Sequence, residues 1–523
     1  MPDSTQNKRD ATNSLVIMLC TLLSRLLGIL RARVMSSVFG ATATADVINF
    51  TFNIPNNFRK LFAEGAANSA LIPTFSSLLG RGEDVRSRRL FALLCTYQSI
   101  LLLPLILLSY IFAEPIIAFL SDFEAEQVRL GGRLLPFFMV YLGAISLSAI
   151  FNGVLQAHQK FVTAYLSPLL FSITVIVGVL LTSDSLGAMS MAWAALLGGI
   201  LQGSYSYLML RKFGYRMKVA LQVGQTPMVS VAKAWVLVLL GMGMQVLTQL
   251  ISFHFASRLE AGSVTAFSNS TIFYQTPYGI FFNAISAVSL PLMSRCASLG
   301  QHDTLRLYVR NALKNLLALL LPSTIILFFL SEECVAVVFQ SGNYTFEDVQ
   351  RTALVLRPYL IFMSTTAWYA MLLRLGYSTN RYAMMTIIAV VQNLIDIILM
   401  WIFLQQGYGL ISLSLANGIS YCIGLILLIL LLKDVYPIYR DKQLYAGCLR
   451  ILLANIPLFL YCFLYSSLAL QWHVAGSTLK GLLYLCLIGS TAVLILLFSY
   501  HLFRIDIFRA LFNKKQGGNL KSN

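Results

Sequence analysis

At 523 residues, 58% hydrophobic and only 11% charged, this chain carries more apolar surface than a soluble core of that length can bury. Its formal charge of +17 is spread over many short polar connections rather than gathered in one patch. That excludes a nucleic-acid-binding surface and points to membrane topology and anionic lipid headgroups. The eight cysteines are scattered without a CxxC, the five histidines lack ligand spacing, and neither a P-loop nor a Rossmann glycine fingerprint occurs, so disulfides, a transition-metal centre and ATP hydrolysis are not expected.

The first twelve residues are polar and no small-residue cleavage site follows a short apolar core, so the first apolar segment reads as a retained helix. About fourteen apolar spans follow, near 13–39, 46–79, 88–113, 127–157, 160–183, 187–211, 227–257, 262–298, 305–331, 349–375, 382–405, 408–432, 444–469 and 478–503. The fold class is an all-α membrane protein. Several spans exceed the roughly 20 residues that a bilayer needs, and internal prolines such as Pro55, Pro277 and Pro358 mark expected kinks.

Alternate connections differ in sign. Arg81, Arg86, Arg88 and Arg89, then His158 and Lys160, then Arg211, Lys212, Arg216 and Lys218 lie on one side, continued by Arg306, Arg310, Arg374, Arg381, Lys433, Arg440 and Lys442. Glu114, Asp122, Glu124, Glu126, Asp184, Glu332, Glu333, Glu347 and Asp348 lie on the other. Basic connections stay cytoplasmic, which puts both termini in the cytoplasm.

The chain also repeats itself at an offset of about 220 residues. Leu135-Pro136-Phe137 pairs with Arg357-Pro358-Tyr359, Lys160-Phe161 with Arg381-Tyr382, and Leu186-Gly187 with Tyr408-Gly409. Six spans separate equivalent positions, so the halves are parallel, as in transporters whose two lobes rock about a central site. The expected organisation is a tail over 1–12, a six-helix lobe over 13–225, a second over 226–435, and two extra helices with a basic tail over 436–523.

Charges inside spans locate the chemistry, because each costs several kcal/mol unless it faces protein or water. The second span carries Asp46, Asn49, Asn53, Asn57, Lys60, Glu64 and Asn68 at helical spacing, with Arg59 one position off the stripe. Such a face lines a polar cavity or forms a sealed structural network. The eighth span has an uncharged stripe: Ser268, Thr271, Gln275, Gly279, Asn283 and Ser286. In the first span Arg25 sits near mid-membrane, with Arg31 and Arg33 beyond it; Arg33 suits snorkelling to a headgroup. The cationic excess suggests an anionic cargo, since a guanidinium donates two parallel hydrogen bonds to phosphate. Asp396, with Asn393 and Ser412, is a candidate site for a coupling cation, Na⁺ or a proton; a plain hydrogen bond to a neighbouring helix is the alternative.

Ser24-Arg25-Leu26-Leu27-Gly28 with Arg31, Phe39-Gly40-Ala41, Asp46, and Pro55-Asn56-Asn57-Phe58-Arg59-Lys60-Leu61-Phe62-Ala63-Glu64-Gly65-Ala66 resemble the signature of the MurJ/MviN lipid II flippases, of the multidrug/oligosaccharidyl-lipid/polysaccharide exporter superfamily. Gly153–His158 and Phe339-Gln340-Ser341-Gly342 add to the resemblance. It implies a transporter without catalytic chemistry in the bacterial inner membrane. The cargo would be undecaprenyl-pyrophosphate-linked disaccharide-pentapeptide (lipid II), moved to the periplasmic leaflet by alternating access for cell-wall synthesis. The resemblance implies substrate contacts at Arg25, Arg31, Arg59 and Asp46, a monomer associating with the cell-wall machinery, and a lipid-tail groove from the last two helices. One departure is Thr271-Ile272, where many members carry an acidic–Arg pair; Arg258 is the candidate replacement. An exporter of small molecules or of another lipid-linked oligosaccharide is the alternative; a drug exporter would favour acidic and aromatic cavity groups over arginines.

Overall fold

The computed structural model describes residues 4–61, 71–224, 226–469 and 478–505. Glu64 and Asn68 of the second-span stripe lie outside the described residues. Helices run in the order α1 (Ser4–Phe39), α2 (Ala43–Arg59), α3 (Ile72–Gly80), α4 (Asp84–Ile111), α5 (Ala113–Leu120), α6 (Ala125–Ala157), α7 (Phe161–Leu186), α8 (Met189–Arg211), α9 (Met228–Ser257) and α10 (Ser263–Ser298). They continue with α11 (His302–Phe329), α12 (Ser331–Phe339), α13 (Phe346–Ile361), α14 (Met363–Ser378), α15 (Tyr382–Gln405), α16 (Ile411–Leu431), α17 (Lys442–Ala454), α18 (Ile456–Ala469) and α19 (Thr478–Leu502). No strand occurs among the described residues.

Apart from the span over 46–79, which includes residues outside the described ones, the spans drawn from the sequence fall on one helix or a broken pair. Nine helical stretches among the described residues are long and apolar enough to cross a membrane by length and composition alone. The span over 349–375 is broken at Phe362. The span over 444–469 is broken at Asn455, whose Nδ2 donates to the Ile451 carbonyl (2.8 Å) and to Tyr500 Oη (3.0 Å). Helix starts follow local chemistry. Thr42 Oγ1 accepts from Ala45 N at the head of α2, and Glu124 with Gln127 forms a capping box on α6.

The repeat is written into the backbone. Left-handed residues recur at Gly40 and Gly262, Gly82 and Gly300, Gln159 and Asn380, and Gly187 and Gly409. The corner after α6 and the corner after α14 share one hydrogen-bond pattern: Lys160 N donates to Leu155 O (2.8 Å) and Arg381 N to Gly376 O (3.0 Å). His158 N to Val154 O (3.0 Å) is matched by Thr379 N to Leu375 O (3.1 Å).

The chain divides into two compact units, Met1–Thr265 with Ser341–Asp348, and Ala266–Gln340 with Val349–Asn523. In the first unit, α1, α2, α6, α7 and α8 share a core around Val47, Phe138, Tyr141, Phe171, Val175 and Ala195. A second core joins α3, α4 and α6 through Phe75, Phe91, Phe151 and Tyr215. The Ser341–Asp348 segment docks on the end of α1: Asn343 N donates to Ser37 O (2.8 Å) and its Nδ2 to Val38 O (2.6 Å). A Cβ at Gly40 would lie 2.6 Å from the Asn343 carbonyl, so only glycine admits this approach.

In the second unit α17–α19 pack on α11. Tyr500 Oη donates to the Ala318 carbonyl (2.7 Å), and Leu458, Cys462 and Ala492 close around Ile325. Below them Asp441 Oδ2 accepts from Arg310 Nε and Tyr436 Oη, both at 2.6 Å, while its Oδ1 caps Leu444 N.

Candidate functional site

A cavity of about 340 Å³ opens inside the first unit, between α1, α2, α6, α7 and α8. Ser24, Gly28 and Arg31 line it from α1, and Phe52, Asn56 and Arg59 from α2. Tyr141, Asn152 and Gln156 on α6, Tyr165 and Phe171 on α7, and Gln202 on α8 complete the wall.

Arg31 is held by aromatic faces. Its Cζ lies 5.1 Å from the Phe171 ring centroid and 5.9 Å from that of Phe52, and these two rings stack with 7° between planes. A cation over a ring gains about 0.5–2 kcal/mol, which fixes the guanidinium without neutralising it. No acidic side chain pairs with Arg31 among the described residues. Arg59 Nε donates to Asn56 Oδ1 (3.0 Å), which orients the second guanidinium of the cavity. Gln202 is 4% exposed and its Oε1 accepts no hydrogen bond. The cavity therefore offers charged donors and, at Gln202, a bare acceptor, a set suited to an anion flanked by hydroxyl or amide groups.

The polar stripe of α2 has a different use. Asp46, 3% exposed, accepts from Gly262 N (2.7 Å), Thr265 N (2.8 Å) and Thr265 Oγ1 (2.7 Å). It caps the first turn of α10, where a carboxylate is favoured by the helix dipole, and does not line the cavity. Asn49 Nδ2 donates to Thr265 Oγ1 (3.0 Å), and Asn53 Nδ2 to its own helix at Asn49 O (3.2 Å). Lys60 Nζ donates to Asn57 Oδ1 (3.1 Å) and to Gln249 Oε1 on α9 (2.7 Å). The cavity instead uses the neighbouring face of α2, Phe52–Asn56–Arg59, about 100° round the helix.

Arg25 is half-buried on α1 and is not among the residues lining the cavity. Gln275 is exposed on α10, and Thr271 Oγ1 returns to the Phe267 carbonyl. Arg258, the candidate for the departure at Ile272, lies 3.8 Å from Asp122 at the end of α9 and 5.7 Å from the Phe255 ring centroid. His254 Nδ1 is bonded to the Leu120 carbonyl (3.0 Å).

In the second unit Asp396, 1% exposed, accepts from Asn417 Nδ2 of α16 through Oδ2 (2.7 Å). Its Oδ1 and the fully buried Ser412 Oγ make no hydrogen bond. The orphaned carboxylate oxygen is one that a hard cation or a proton would satisfy. Asn393 returns to the Ala389 carbonyl on its own helix (2.7 Å), leaving Asn417 as the amide that touches Asp396. Asn417 went unnoticed in the sequence. Its place five residues beyond Ser412, on the helix following Asp396, was the available signal.

A profile of the family described as lipid II flippase MurJ matches residues 35–484. The chain belongs to this MurJ family. A probable lipid II flippase MurJ of Borreliella burgdorferi is 28% identical over 499 residues, covering 95% of this chain and 97% of that protein. One of Aquifex aeolicus is 28% identical over 411 residues, covering 78% and 80%. Among solved structures, a lipid II flippase MurJ in an inward closed conformation matches with a TM-score of 0.75 at 24% identity over 95% of this chain and 99% of that one. A multidrug transporter of the MATE family, inward-facing, matches at 0.63 and 16% identity over 80% and 98%. Both structural likenesses concern the fold. The chain is a multi-pass, all-helical membrane protein of a transporter family.

Proposed function

We propose that this MurJ-family chain carries lipid II from the cytoplasmic to the periplasmic leaflet of the bacterial inner membrane by alternating access, both termini remaining cytoplasmic. The observation that carries the reading is Arg31, caged by Phe52 and Phe171 without an acidic partner, beside Arg59 in a shared cavity. An uncompensated guanidinium at membrane depth is costly, and a pyrophosphate offsets that cost through paired hydrogen bonds. Gln202 Oε1 accepts from a sugar or peptide donor next to the pyrophosphate. A small-cation exporter would gain nothing from two cavity arginines.

A coupling cation, Na⁺ or H⁺, binds at the free carboxylate oxygen of Asp396. Its field would bias the conformational equilibrium, since about 2.3 kcal/mol per charge is available per 100 mV. The protein acts as a monomer alongside the cell-wall synthesis machinery. The decisive experiment is a leaflet-resolved lipid II assay in cells depleted of their own flippase, with this chain as the replacement. Restored flipping supports the reading. Normal membrane insertion with lipid II confined to the inner leaflet overturns it.

A further inference from the structure

The connection between α8 and α9 holds a feature that lies outside the cavity. From Tyr215 to Val223 the chain has no regular secondary structure, and it dips along α4 and returns. Tyr215 Oη meets Ser87 Oγ at 2.6 Å. Further on, Thr96 Oγ1 donates to Lys218 O (3.4 Å), Ala220 N donates to Thr96 Oγ1 (3.1 Å), and Tyr97 Oη donates to Leu221 O (3.0 Å). The chain then climbs back, so that Arg89 Nη2 donates to Gln222 O (3.1 Å). Its two ends are pinned alike: the Arg88 guanidinium lies where a Cβ on Gly214 would be, 2.9 Å away, and that of Arg89 lies 3.0 Å from the same point on Gly224.

From Arg89 to Thr96 is seven helical residues, about 10 Å along α4 at 1.5 Å each. Beyond Tyr97 the helix runs from Ser99 to Ile111 without a charge. The tip of the loop therefore reaches the edge of the hydrocarbon while its ends stay among arginines. Its side chains match that depth. Val219 is 86% exposed and Leu221 60%, although nothing in an aqueous loop calls for such residues. The tip's backbone is bonded to hydroxyls of α4, and Met217 N donates to Tyr207 Oη of α8 (3.2 Å). Irregular backbone that leaves water needs partners of this kind. Arg216 and Lys218 alternate with the apolar residues, and Lys218 has a stem long enough to snorkel back.

We propose that the 214–224 loop is an interfacial membrane anchor: Val219 and Leu221 enter the acyl boundary, and Arg216 and Lys218 bind acidic phospholipid headgroups. The occupant is lipid on grounds of charge and depth together. A cationic rim above an apolar tip, at the level where α4 becomes uninterrupted hydrocarbon, complements an anionic bilayer surface.

The test uses the full-length protein in phosphatidylcholine bilayers with and without phosphatidylglycerol. A nitroxide on Val219→Cys, read against the protein without that substitution, should collide more with dissolved oxygen than with a water-soluble relaxant. The same label on Arg216→Cys should show the reverse. Arg216→Gln and Lys218→Gln should each lower phosphatidylglycerol retained by the purified protein about fivefold. Arg86→Gln, a charge already paired with Glu83, should leave retention unchanged. A water-exposed label at position 219 overturns the anchor, as does retention indifferent to both charges. A photo-cross-linker at position 221 that captures protein instead of phospholipid in native membranes overturns it too.

Discussion

The two units carry one helical plan with opposite chemistry. Counted from the shared left-handed corners, Asp396 of α15 corresponds to Val175 of α7, and Asn417 of α16 to Ala195 of α8, both buried apolar residues of the first core. Conversely, Arg31 of α1 corresponds to Phe253 of α9, 3% exposed. Each unit thus holds a polar site where the other holds packing. A duplicated scaffold can specialise this way because the backbone is satisfied within each helix, so that a single side chain decides whether a position binds an anion, a cation or nothing.

The largest test of that contrast is removal of the cationic site. Arg31→Ala and Arg59→Ala should each reduce lipid II flipping at least tenfold with insertion intact, the loss of charged hydrogen bonds of about 1.5–3 kcal/mol. Arg31→Lys should recover part, since the point charge survives and the fork does not. Full flipping by the double alanine variant in the leaflet-resolved assay would break the contrast.

Next comes the anionic site. Asp396→Asn should abolish the dependence of flipping on the Na⁺ gradient, on pH or on membrane potential, measured with each varied separately. Asn417→Ala should weaken the same dependence, because the carboxylate loses its one bonded neighbour. If Asp396 is only a helix-to-helix tie, the asparagine keeps a hydrogen bond and the dependence persists unchanged.

A smaller effect falls on the loop beside α4. His158, just past the end of α6, stacks on Phe213 and lies with Nε2 3.1 Å from Tyr215 Oη. Burial lowers its pKa; Asp84 opposes that shift, while Arg88 and Lys160 add to it. The unfolded loop then binds more protons than the folded one, so stability rises with pH and is lost as pH falls below about 6.5. Hydrogen exchange of the 213–217 amides should quicken on acidification in the wild type, and His158→Gln should remove that pH dependence.

The smallest effect is expected at the exposed Asp122–Arg258 pair. Both groups are largely exposed, and Arg258→Gln should change thermal stability by less than about 1 kcal/mol and leave flipping unchanged. A flipping defect in that variant would bring Arg258 back as a cargo contact.

Much of the fold was legible because bilayer crossing demands long apolar helices, and the turns between them need glycine or basic residues. The site was half legible. Arg31 and Arg59 could be picked out by the cost of their burial. The stripe of α2 was legible as a face but not in its partners: periodicity shows that Asp46, Asn49 and Lys60 share a side, but Thr265 and Gln249, which bind them, lie about 200 residues away. Asn56 and Gln202 were invisible for the complementary reason. Neither is charged, and only the packing of α1, α2, α6, α7 and α8 brings them to one cavity.

The matching corners after α6 and α14 bear on how the molecule was made. Gln159 and Asn380 both adopt the left-handed conformation, at φ 59° and 62°, where most side chains are strained. Their recurrence at equivalent corners is what a scaffold made of two copies of one helical plan would keep, the punctuation of the chain shared while its vocabulary differs. Exchanging residues 154–160 with 375–381 should therefore yield a chimera that still folds, whereas exchanging α1 with α9 should not leave a working transporter.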